Sequence, residues 1–208
     1  MLERHNNVVN QLHATFRRRF DLPKISHNQP IPAVMESDSA KIFYDVRLFT
    51  RNVRAALKGD ENEIRYEGLH HDRPDLVIFD KTAGKIHIVE VCVAWYENLV
   101  NQENIKYHKY ATNSEVEDVQ VLANPSTRTH GFNIRALMGE LYGKEFKAGV
   151  TVTPIVIGTC GEVLPNINER LEELNIKGKT ALQLLEKIQL GAIHGSDRLI
   201  RAHLSLSR

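Results

Sequence analysis

The sequence predicts an α/β domain, a small mixed sheet flanked by helices. Three observations carry this. Residues 2–20 place Val8, Leu12, Phe16 and Phe20 at i+4 intervals, one apolar helical face. Two runs of high strand propensity, "RPDLVIFD" and "KIHIVEV", sit close together around the tetrapeptide "KTAG". Amphipathic segments without strand alternation then fill the C-terminal part. A chain of 208 residues fits one domain spanning 1–208, with a core over about 1–160 and a C-terminal helical part over about 166–208.

The elements follow in order. The first helix covers 2–20, stops before Pro23 and carries Arg17, Arg18 and Arg19 in its last turn, where cations suit the helix dipole. Residues 22–38 hold Pro23, Pro30 and Pro32 with little periodicity and read as a connector. The stretch 40–50 alternates as a strand, with Ile42, Tyr44, Val46 and Leu48 on one face, and a helix is the alternative there. A short strand is expected over 62–69, then the two strands around "KTAG". Residues 96–113 read as a helix, 114–131 as a loop, and 133–146 as a helix weakened by two glycines. Residues 150–161 form a strand in which Pro154, lacking an amide donor, points to an edge or a bulge. Short helices over 166–176, 180–193 and 195–208 close the chain.

Charge is nearly balanced, 27 Lys and Arg against 26 Asp and Glu, so net charge selects no partner. Cys92 and Cys160 stand in apolar runs without zinc spacing and are expected to be buried free thiols of a reducing compartment. No apolar run is long enough to span a bilayer, and the polar start "MLERHNNVV" argues against a secretory signal. A nuclear or cytosolic location without membrane contact is the expectation.

The chemistry concentrates in residues 73–91. If "KTAG" closes a two- or four-residue hairpin loop, Asp80 pairs with Lys85 and Asp75 faces Glu90 on the same side of the sheet. Opposed Cβ atoms lie about 4.5–5.5 Å apart, so two ionised carboxylates there repel. A shared proton, a bridging cation or a basic neighbour resolves the conflict. A hard divalent ion such as Mg2+ suits two carboxylates. A three-residue loop with a bulge at Gly84 would instead shift the register by one and send the two side chains to opposite faces.

Pro74-Asp75 at the start of one strand, with Glu90 inside its hairpin partner, resembles the PD-(D/E)xK nuclease signature. The lysine of that signature would fall at position 92, which is Cys92 here. The sequence resembles more closely the restriction-like endonuclease domain of site-specific non-LTR retrotransposons, nematode members above all, in which the basic residue has moved to the following helix. Three segments carry the resemblance: "RHNNVVNQL" (4–12), "GLHHDRPDLVIFD" (68–80), and "IVEVCVAWYENL" leading to "NIKYHKY" (88–110). It implies a PD-(D/E)xK core, Asp75 and Glu90 as ligands of Mg2+ or Mn2+, and a DNA-nicking activity. It also implies Lys106, with Lys109 as its rival, as the catalytic cation.

Further candidates surround this core. Glu63 or Glu67 would supply a third acidic ligand. Arg4, Arg17, Arg18, Arg19 and Arg73 would contact DNA phosphates, with salt bridges or solvated positions as the plainer alternatives. The resemblance implies that Arg4 and His5 pack near the site, with a structural role as the plainer alternative for His5, and His70 and His71 read as a loop pair. Trp95, Tyr96 and Tyr107 read as core or rim, with base stacking as the alternative. Lys144, Lys147, Arg198, Arg201 and Arg208 would extend a DNA track or keep the surface soluble. The expected partners are double-stranded or branched DNA, a second copy of the chain, or a host protein. The competing reading is a domesticated nuclease fold without catalysis that acts as a protein or nucleic-acid interaction module.

Overall fold

The computed structural model describes residues 2–26, 29–47, 73–111 and 134–206. The expected strand over 62–69, the loop over 114–131, and Glu63, Glu67, His70, His71 and Arg208 lie outside the described residues.

Helix α1 (Leu2–Arg19) leads into strands β1 (Val34–Glu36), β2 (Ala40–Tyr44), β3 (Leu76–Asp80) and β4 (Lys85–Ala94). A 3-10 turn (Tyr96–Asn98) and helices α2 (Leu99–Ala111) and α3 (Ile134–Tyr142) precede strand β5 (Val150–Gly158). Helices α4 (Ile167–Glu173) and α5 (Gly178–Leu206) follow. The strands lie side by side in chain order: β1 to β4 pair antiparallel, and β5 joins β4 in parallel. The protein is therefore an α/β domain with a mixed sheet flanked by helices.

One sheet face carries Leu76, Ile78, Val89, Val91, Ile155 and Ile157 and packs against α1, α4 and α5. The other carries Val77, Phe79, Ile86, Ile88 and Val152 and packs against Tyr110 of α2, Ile134 and Met138 of α3, and Phe146. Because both faces are covered, β3 is buried at every position, and its sequence runs apolar without alternating. The C-terminal helices belong to the first of these cores: Leu171, Leu174, Ile176, Leu184, Ile188 and Ala192 are buried in it.

Several expectations shift for local reasons. The connector over 22–38 contains β1, held by pairs such as Met35 with Ile42. Strand β2 ends at Tyr44, because Asp45 turns to a left-handed φ of 49° and cannot continue the pleat. Pro154 does sit on an edge: among the described strands β5 pairs only with β4. The segments 180–193 and 195–208 form one 29-residue helix rather than two. Gly191 and Gly195 do not break it. They let α5 approach α1, and a Cβ on Gly195 would come within 2.5 Å of the Arg4 side chain. Cys160 is exposed in the turn after β5, and Cys92 is only partly covered, its thiol 3.6 Å from Gln102 Oε1. Neither is the buried thiol expected from its apolar neighbours.

His13 and His87 are buried in the core, and the Nε2 of each has no hydrogen-bond partner. Burial holds both imidazoles down from the usual 6.5 to about 4. In the native state they stay neutral until about pH 4, whereas unfolded histidines protonate near 6.5. The unfolded state therefore binds more protons between those values. The stability they contribute is complete at pH 7 and falls as pH drops, by about 3 kcal/mol per histidine at about 1.4 kcal/mol per pKa unit. Urea unfolding of the wild type and of His13→Gln/His87→Gln across this window checks it. The variant should lose less stability toward acid, and equal slopes would contradict the assignment.

Candidate functional site

The site is set by the β3–β4 register. Asp80 pairs with Lys85 across the four-residue loop, and the ladder runs to Leu76 opposite Val89. Continued by one residue, it brings Asp75 opposite Glu90. Gly84 does adopt a left-handed φ of 60°, but it does so inside the turn and the register is unshifted. The turn is fastened by Asp80, whose carboxylate accepts from Thr82 Oγ1 (2.6 Å), the Ala83 amide (2.9 Å) and Arg19 Nη2 (3.0 Å).

Glu90 is 3% exposed and lies on the sheet face covered by α2. Its Oε1 accepts from Lys106 Nζ at 2.8 Å and Lys109 Nζ at 2.7 Å. Its Oε2 accepts from the Tyr110 hydroxyl at 3.1 Å. Lys106, Lys109 and Tyr110 fall within about one helical turn, so one face of α2 delivers all three to one carboxylate. Tyr110 is fully buried, and its hydroxyl also lies 3.3 Å from the Arg73 carbonyl, beside Pro74 and Asp75. It links the two acidic positions. Burial alone would lower the Lys106 ammonium, but the charge and hydrogen bond of Glu90 outweigh it and raise it above the usual lysine value.

Asp75 stands in a bend just before β3, where the pleat no longer dictates direction. Its Oδ2 accepts from the Val91 amide at 2.6 Å and meets His5 Nε2 of α1 at 3.1 Å. That hydrogen bond, working against partial burial, raises the His5 imidazole above its ordinary value. His5, which the resemblance implies lies near the site, thus touches the Asp75 carboxylate.

The structure brings Asp75, Glu90, Lys106 and Lys109 together. The arginines largely serve the fold. Arg4 donates to Ser196 Oγ, Arg17 to the Pro23 carbonyl, and Arg19 to the Leu174 carbonyl and Asp80. Arg73 pairs with Asp45 at 2.7 Å, the salt bridge that was the alternative to a phosphate contact. Arg18 is exposed and bonds only weakly to Thr15. Glu103, one turn before Lys106, is engaged elsewhere, with Arg170 and Asn166 of the α4 region. Trp95 and Tyr96, 66% and 67% exposed, stand out from the end of β4 and are not core.

Tyr110 was missed as a site residue. The signal lay in "KYHKY": Lys106 and Tyr110 are spaced i, i+4, so a helix places them on one face.

No three His, Cys, Asp or Glu side chains gather at metal-ligand range among the described residues. Asp75 Oδ2 meets His5 and the Val91 amide and Glu90 Oε1 meets both lysines, which leaves Asp75 Oδ1 and, beside the neutral Tyr110 hydroxyl, Glu90 Oε2. Two carboxylate oxygens completed by water and a phosphate suit Mg2+ or Mn2+ chemistry, so the residues fit such an ion. No protein-family model and no curated protein matches this chain.

The shared hold on Glu90 has a measurable consequence. Lys106→Met or Lys109→Met alone leaves one ammonium on the carboxylate and should cost little stability. Lys106→Met/Lys109→Met leaves a buried charge uncompensated and should cost about 3–5 kcal/mol in urea unfolding, more than the sum of the single variants. Additive effects would show that the lysines do not share Glu90.

Proposed function

We propose that this domain is a divalent-metal-dependent DNA endonuclease of the PD-(D/E)xK type, built like the restriction-like endonuclease of non-LTR retrotransposons. One observation carries the reading: both lysines of the next helix converge on the buried Glu90, and the β3–β4 register, continued one residue past its last pair, sets Asp75 across from it. A basic residue delivered from the helix rather than from position 92 is the departure that the resemblance describes, and Cys92 is partly covered and carries no charge to substitute.

Asp75 and Glu90 would hold the ion, which polarises a phosphodiester and lowers the pKa of an attacking water. Tyr110 fixes the Glu90 carboxylate, and His5 and the Val91 amide fix that of Asp75, so neither has to reorganise during reaction. Lys106 and Lys109 are each about one-fifth exposed, enough for one to turn to the phosphate while the other stays on Glu90. That ammonium would neutralise charge developing on the phosphate. Trp95 and Tyr96 would offer ring faces to unstacked bases.

A second reading is favoured by a specific observation as well. All three donors around Glu90 already satisfy it, as in a nuclease fold that has become an inactive interaction module. Supercoiled plasmid with Mg2+ or Mn2+ separates the two. Nicking is expected from the wild type, with losses of about a hundredfold or more in Asp75→Asn and in Lys106→Ala. Absence of nicking by the wild type, or equal nicking by Asp75→Asn, would favour the inactive module.

Trp95 is the sole tryptophan of the chain. Its emission should be quenched when single-stranded DNA is added in EDTA, and an unchanged spectrum at saturation would remove it from the DNA surface.

A further inference from the structure

Helices α1 and α5 pack antiparallel: Arg4 meets Ser196, Asn7 meets Gly191, and Arg19 reaches the Leu174 and Asn175 carbonyls just ahead of α5. Along the outer side of this seam run two hollows of about 640 and 360 Å3 that share Lys187 as a lining residue. The first is lined by Arg18, Lys177, Thr180 and Gln183 among others, the second by Asn7, Asn10, Gln11 and Arg198 among others. No Asp or Glu lines either hollow, although the whole chain carries 26 acidic residues against 27 basic ones.

Not every cation there is available. Arg19 is bound to Asp80, and Arg198 to Glu3. Arg18, Lys177 and Lys187 are exposed, and among the described residues no carboxylate pairs with them. Between the cations the lining is mainly amide and hydroxyl, with Ile176, Leu184 and Leu190 as its apolar part.

We propose that this furrow between α1 and α5 is a track for the phosphate backbone of DNA. Lys and Arg charges interleaved with amide and hydroxyl donors are the chemistry that holds phosphodiester oxygens without reading bases. An acidic protein segment would instead need a buried apolar or aromatic anchor, and this lining offers little for one. The dimensions agree. From Arg18 to Asn7 α1 rises about 17 Å, the axial length of about five phosphates on one strand of a duplex. The Asn7 end lies within one turn of His5, which touches Asp75, so the track ends near the candidate site. The proposal shares its ligand with the nuclease reading but rests on charge and shape, not on catalysis.

Anisotropy of a short fluorescein-labelled DNA duplex, titrated with the full chain in EDTA at several salt concentrations, tests it. Arg18→Gln/Lys177→Gln/Lys187→Gln changes only exposed side chains and should keep the wild-type circular dichroism and melting curve. It should bind about tenfold or more weakly, and its slope of log affinity against log salt should be shallower by about 2.7, three phosphate contacts at about 0.9 each. Lys144→Gln/Lys147→Gln, on the far side of the fold before β5, should bind as the wild type does. EDTA removes any divalent ion, so the titration reads binding whether or not the wild type nicks plasmid, which separates failure of the track from failure of the nuclease reading. The proposal is overturned if the triple variant binds as tightly as wild type, if both lysine sets lose affinity equally, or if polyglutamate at equal charge displaces the DNA.

Discussion

Asp80 is the residue on which the arrangement depends. A fully buried carboxylate is tolerated only with its lone pairs and charge satisfied, and Asp80 obtains this from three directions at once. Thr82 and Ala83 close the turn on one oxygen, and Arg19 reaches the other from the end of α1. Slippage of the hairpin by one residue would strand this charge, and breaking a pair of this kind costs about 3–5 kcal/mol. It would also move every β3 side chain to the opposite face, between two cores that are both apolar. The register that places Asp75 opposite Glu90 is therefore held at the far end of the hairpin, five residues from the acidic pair.

The same contact carries α1 to its place. With Arg19 anchored on Asp80, the helix runs back across the sheet until His5 arrives at Asp75. The N-terminal helix is thus bound by the Arg19–Asp80 ion pair at one end of β3, by the His5–Asp75 contact just before its other end, and along its middle by Val8, Leu12 and Phe16. Helix α5 then seals its outer flank, and the glycines that permit the close approach also open the furrow beside it. On the opposite face α2 is directed by Glu90, a buried carboxylate that collects Lys106, Lys109 and Tyr110. Two buried acids, one at each end of the hairpin and each too costly to leave unpaired, orient the helices on the two sides of the sheet.

The candidate site was legible where local periodicity decides contact. The distance between Asp80 and Lys85 limits the loop to a few forms, and two of them give the facing pair. Helical spacing puts Lys106, Lys109 and Tyr110 on one side of α2. What could not be read were contacts between elements remote in sequence. Nothing near Arg19 announces Asp80, so three consecutive arginines looked alike, while the structure uses Arg17 and Arg19 within the fold and leaves Arg18 outside. The segments 180–193 and 195–208 read as two helices because intrinsic helix propensity is a local quantity, and Gly191 and Gly195 lower it. Their actual role depends on Arg4 and Asn7, which lie nearly two hundred residues earlier.

The sequence by itself determined the α/β class and the strand pair around "KTAG"; it left the facing of Asp75 and Glu90 open between loop forms, and the lysine from the following helix entered through the family resemblance. The class and the strand pair follow from periods of 2 and 3.6 residues and from the reach of a short loop. Only the tertiary structure decided that Glu90 is neutralised by two lysines and hydrogen-bonded by a tyrosine, and that His5 closes on Asp75. It alone decided, too, that α5 runs unbroken beside α1 to form a furrow free of carboxylates. These rest on burial and on long-range packing, which fix a charged group's partners only once the chain around it is folded.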